Sequence, residues 1–95
     1  MKVVWSCFRG LYADNPRALY EEAVSRLPGA EHVWLANEHT EHTFPAEVRT
    51  VRYPSDQARA ELESADVVVA NDCISLVWDK QPRTTYLQKI GRAHV

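Results

Sequence analysis

Three stretches of the chain carry side chains whose types and spacing could do chemistry. The first follows the apolar run from Lys2 to Phe8 and holds Arg9, Gly10, Tyr12, Asp14 and Asn15. If that run is a strand of an open α/β sheet, these residues lie beyond its carboxyl end, where such sheets bind ligands. Asn15-Pro16 then starts a helix, with Asn as cap and Pro at the first helical position. Free N–H groups at that terminus could receive an anion. The plain alternative is a turn followed by a helix cap. Gly10 stands alone, without a GxGxxG or GxxxxGK[ST] pattern, which argues against a dinucleotide or P-loop site.

The second stretch is Glu38-His39-Thr40-Glu41-His42, four metal-capable side chains within five residues. A zinc-binding HExxH needs a helix and a Glu directly after the first His. Neither condition is met, so a solvated polar loop is expected. The third is Asn71-Asp72-Cys73, after the apolar run Val67-Val68-Val69-Ala70. Asn71 and Asp72 could touch a ligand or cap the following segment. Cys73 could act as a nucleophile only beside a base, and the sequence supplies none nearby. Trp5, Trp34 and Trp78 read as packing residues. There is no Ser-His-Asp order, carboxylate pair or cofactor lysine, and neither a metal nor a cofactor is expected.

The elements that must position these residues read as β-α-β-β-α-β-β. Strands are expected at 2–8, 32–36, 48–53, 66–71 and 84–88, from apolar runs rich in β-branched and aromatic residues. Tyr20, Ala23, Val24 and Leu27 share one face of a first helix that Pro28-Gly29 ends. Ser55 caps a second helix, with Ala58, Leu62 and Ala65 as its apolar stripe. Asn37 to Ala46 is polar, contains Pro45 and reads as a loop. This order predicts an α/β layer with a mostly parallel sheet and flanking helices. At this length a chain buries only about 60–65% of its unfolded surface. A partial Rossmann-like domain is therefore expected, with apolar sheet face and an open edge left uncovered.

The chain has 95 residues, 45% hydrophobic and 25% charged, with a net charge of −2. That excludes wholesale disorder, and no basic field points to nucleic acid. No apolar run approaches the roughly 20 residues of a membrane-spanning helix. No signal peptide is read at the N-terminus, and Cys7 and Cys73 suggest a reducing, cytoplasmic setting.

Gly10-Leu11-Tyr12-Ala13-Asp14-Asn15-Pro16-Arg17-Ala18-Leu19-Tyr20 resembles the G-x-Y-x-D-(S/N)-P-(R/K)-x-(L/I)-Y opening of the CDP-glycerol glycerophosphotransferases, the teichoic acid polymerase family. Ala65 to Asp72 is similar to that family's strand ending in (I/V)-x-N. Thr84-Thr85-Tyr86-Leu87-Gln88 resembles the start of its Y-(L/V)-Q-T-W-H-G-T-P. The resemblance covers residues 3–88. It implies the N-terminal, acceptor-side part of a GT-B fold, in which two Rossmann-like domains face a cleft. It implies transfer of glycerol phosphate from CDP-glycerol to a poly(glycerol phosphate) or lipid-linked acceptor, with release of CMP. It also implies work at the cytoplasmic face of the membrane, reached through regions outside this sequence. Gly10, Tyr12, Asp14, Asn15 and Asn71 would line or approach the cleft on the acceptor side. The family's histidine in W-H-G-T-P, its expected base, would follow Gln88, so no catalytic residue is expected within 1–88. A related transferase using another nucleotide donor, or a free-standing flavodoxin-like binding module, are the alternatives.

Ile90-Gly91-Arg92-Ala93-His94-Val95 match, residue for residue, the translation of a common sequencing-library adapter, ATC GGA AGA GCA CAC GTC, whose next codon is a stop. The adapter begins with AG. The family pattern calls for Thr after Gln88, whose codons begin with A, and A followed by AG encodes the Lys89 that stands there. The expectation is that 89–95 are a non-native tail, and that 1–88 are an incomplete domain of a longer protein. A natural tail is the alternative.

Overall fold

The computed structural model describes residues 1–7, 14–70 and 81–88, and of residues 14–16 and 88 the backbone alone. The strands are β1 (Lys2–Ser6), β2 (Glu31–Ala36), β3 (Thr50–Arg52), β4 (Val67–Ala70) and β5 (Thr85–Gln88), and the helices α1 (Asp14–Arg26) and α2 (Asp56–Ser64). They form one sheet in the order β3-β2-β1-β4-β5, every pairing parallel. The expected mostly parallel sheet is therefore fully parallel. Such strands are covered on both faces, which explains why β1 and β4 read as nearly continuous apolar runs.

Period-two alternation divides the core into two layers. Val3, Trp5, Cys7, Trp34, Ala36 and Val69 point to one face, where Phe44 and Val48 of the β2–β3 connection join them. Val4, Val33, Leu35, Val51 and Val68 point to the other, under Ala58, Leu62 and Ala65 of α2. The second layer matches expectation. Ser55 Oγ accepts from the Ala58 N–H at 2.9 Å and caps α2, and all three stripe residues are fully buried.

The first layer corrects one expectation. Tyr20 and Ala23 of α1 pack on the core, but Val24 and Leu27 are more than 40% exposed. Among the described residues, the connection between β2 and β3 supplies only a 3-10 turn, Glu41–Thr43, and no α-helix to cover the outer part of that stripe. The start of α1 also differs slightly. The helix takes in Asp14 and Asn15 ahead of Pro16, a position tolerated because first-turn N–H groups lack partners in any case.

At the amino end of the sheet, ion pairs bind the elements together. Lys2 Nζ donates to Glu61 Oε1 at 2.6 Å, and Arg49 donates to Glu61 Oε2 at 2.8 Å and to Glu31 at 2.9 Å. The Lys2 backbone N–H donates to Asp66 at 2.8 Å, and Asp66 also pairs with Arg83.

Candidate functional site

β1 and β4 are neighbours, yet the chain reaches them from opposite directions. From β1 it winds outward through β2 to β3, then crosses back over α2 to β4 and on to β5. The sheet therefore has its topological switch point between β1 and β4. Loops leaving the carboxyl ends of such strands diverge and open a crevice between them. Ser6 is in register with Ala70 at that point, so the two strand ends lie side by side.

Both candidate stretches of the cleft follow these two ends. Gly10 and Tyr12 come after β1, and Asn71 comes after β4; all three lie outside the described residues. Asp14 and Asn15 occupy the first turn of α1, where backbone N–H groups are unpaired within the helix. Asp72, Cys73 and Trp78 also fall outside the described residues. The structure thus fixes the two strand ends, Ser6 and Ala70, that precede these stretches in the sequence.

The histidine-bearing stretch is held by its own backbone. Asn37 Oδ1 accepts from the N–H groups of His39 at 2.8 Å and Thr40 at 3.0 Å, and Arg52 pairs with Glu41 at 2.6 Å. His39 is exposed. Among the described residues no group of three His, Cys, Asp or Glu side chains is placed to hold a metal ion.

Two clusters escaped the sequence reading. One is Glu61, buried in α2 and shared between Lys2 and Arg49. Its Glu looks like any helix-surface residue, and only the crossover of α2 over β2 and β1 turns it inward. The other joins Trp5, His32 and Tyr20. Trp5 Nε1 donates to His32 Nδ1 at 3.1 Å, and Tyr20 sits edge-on to both rings. Period two along β1 and β2 placed Trp5 and His32 on one face; their pairing depended on the register. Burial pushes the His32 pKa below its ordinary value, opposed by the Leu27 carbonyl. The last motif residue of the opening stretch, Tyr20, is thus a packing residue of the helix, stacked edge-on over Trp5, His32 and Trp34.

Strand order and switch point define the class: a Rossmann-like α/β domain. The profile of the family described as CDP-Glycerol:Poly(glycerophosphate) glycerophosphotransferase matches residues 1–90, and the chain belongs to that family. No curated protein sequence matches it. Among solved structures it is similar to the wall teichoic acid polymerase TagF, at 24% identity and a TM-score of 0.81, with 92% of this chain and 21% of that chain covered. A histidine-to-asparagine TagF variant soaked for 30 minutes with CDPG matches at 23% identity and a TM-score of 0.79, with coverage of 92% and 22%. The chain therefore spans about a fifth of the length of the structures it matches. These likenesses establish the fold of the matched segment.

Proposed function

We propose that residues 1–88 are the incomplete N-terminal, acceptor-side domain of a transferase. The complete protein moves glycerol phosphate from CDP-glycerol to a poly(glycerol phosphate) or lipid-linked acceptor at the cytoplasmic face of the membrane. The 95-residue chain alone is inactive. The observation that carries this reading is the family match over residues 1–90, on a parallel sheet whose strand order sets a switch point between β1 and β4. The CDPG-soaked TagF structure supports the donor.

In the reaction an acceptor hydroxyl oxygen bonds to the glycerol-bearing phosphorus. The bond from that phosphorus to the CMP oxygen breaks, and the hydroxyl proton passes to a base. Such a step needs a general base and positive or dipolar groups around the phosphate. Within this chain the contribution is the acceptor wall: Gly10, Tyr12, Asp14 and Asn15 from one side of the switch point and Asn71 from the other. The base is expected in the Thr-Trp-His-Gly-Thr-Pro continuation after Gln88.

Sequencing the source gene past the codon for Gln88 tests the reading. A continuation of that form, followed by CMP release from CDP-glycerol by the full-length protein, supports it. A natural stop after Val95 overturns it in favour of a free-standing flavodoxin-like binding module.

A further inference from the structure

We infer that His32 is a proton-sensitive latch: neutral, it helps seat the C-terminal half of α1 on the sheet, and protonated, it lets that half lift. This inference concerns the fold itself and stands apart from the transferase reading.

The geometry fixes the protonation state. An indole N–H can only donate, so the 3.1 Å contact from Trp5 requires an unprotonated Nδ1 on His32. The neutral ring must then carry its proton on Nε2. That nitrogen is buried and makes no well-formed hydrogen bond among the described residues. A second proton would sit on Nδ1 and face the indole N–H, donor against donor. Burial of the ring also opposes its charged form.

The groups around the ring come from every element that meets there. Tyr20 faces it from α1 and Trp5 from β1. The Leu27 carbonyl, just past the end of α1, favours a proton. Glu47 and Arg49, ahead of β3, line the same groove of about 320 Å³ with Tyr20, Val24, Leu27 and His32. Arg49 is already engaged by Glu31 and Glu61. Burial outweighs the favourable contributions, so the ring stays neutral to below its ordinary range.

Helix α1 is the element that gives way. Its described contacts with the core are through Tyr20 and Ala23, while Val24 and Leu27 remain substantially exposed. The strands beneath are tied by continuous parallel pairing. With a depressed folded-state pKa, the anchorage is complete above the ordinary histidine value of about 6.5 and is lost as pH falls through the folded value.

The test is amide hydrogen exchange by NMR on the 95-residue chain between pH 7.5 and 5, corrected for intrinsic exchange. Protection in the second half of α1 should fall roughly tenfold relative to β1 and β2. The fall should vanish in His32→Gln, whose side-chain carbonyl can still accept from Trp5 but does not titrate. Unchanged protection, simultaneous loss from helix and sheet, or the same pH response in His32→Gln would overturn the latch. Nitrogen-15 shifts of His32 in the unaltered chain give an independent reading. A proton on Nε2 and a pKa below the ordinary value are expected; a proton on Nδ1, or an ordinary pKa, also overturns it.

Discussion

Ser6 and Ala70 stand opposite each other in the parallel pairing of β1 and β4, both with small side chains and both at the carboxyl end of the sheet. Ala70 is fully buried and Ser6 nearly so. The pair marks the last described pairing of β1 with β4 before the two candidate stretches follow in the sequence.

Enlarging one member should therefore be felt. Ala70→Leu forces a larger side chain into a closed position and should destabilise the chain by about 1–3 kcal/mol. Urea midpoints of the two proteins give the difference. A variant as stable as the parent would mean that the rim has unfilled space.

The two helices should respond differently to truncation. Leu62 is fully buried under the sheet, so Leu62→Ala should cost about 2–5 kcal/mol. Val24 lies 41% exposed on α1, and Val24→Ala should stay within about 0.5 kcal/mol. Thermal melts of both variants compare them directly. Equal losses would show that α1 is seated as firmly as α2.

That contrast also marks what the sequence could reveal. The α2 cap, its stripe and the succession of helices and strands along the chain were legible because each follows from local chemistry: Ser55 before a helix, apolar residues at helical spacing, β-branched runs between polar breaks. The exposure of Val24 and Leu27 was not, because it depends on how much sheet lies beneath α1 and on the lack of a helix between β2 and β3. Glu61 and His32 were missed for a related reason. Their partners, Lys2 and Trp5, are 59 and 27 residues away and meet them only once the strand register is set. The opening motif could be read from the sequence, but the switch point could not, because it exists only in the order of the strands within the sheet. Gly10, Tyr12 and Asn71 lie outside the described residues.

The Ser55 cap offers a cleaner single-bond measurement. Its Oγ satisfies the Ala58 N–H at the start of α2. Ser55→Ala removes that acceptor and should cost about 1 kcal/mol, whereas Ser55→Asp should retain most of the stability. Chemical denaturation of the three proteins reads the order. If Ser55→Ala matched the parent, the contact would contribute nothing net to the fold.

Glu61 makes a stronger claim, because it is an ionised carboxylate inside a helix–sheet interface. Burial pushes its carboxyl pKa up, but hydrogen bonds and charge from Lys2 and Arg49 outweigh burial and hold it below the usual value. Asp66 is lowered too, first by the Lys2 backbone N–H and further by Arg83. A carboxylate with a depressed folded-state pKa contributes stability that is present above its unfolded pKa, about 4.3 for Glu, and lost as pH falls through the folded value. Glu61→Gln keeps the shape but gives up the charge, and should cost about 1–3 kcal/mol at neutral pH. It should also flatten the acid side of the stability profile between pH 5 and 3, leaving the share that Asp66 carries. Urea midpoints across that range decide the matter. Parent and variant curves that run parallel would mean that Lys2 and Arg49 do not stabilise the Glu61 charge, and that the junction of β1, β2 and α2 is held by packing alone.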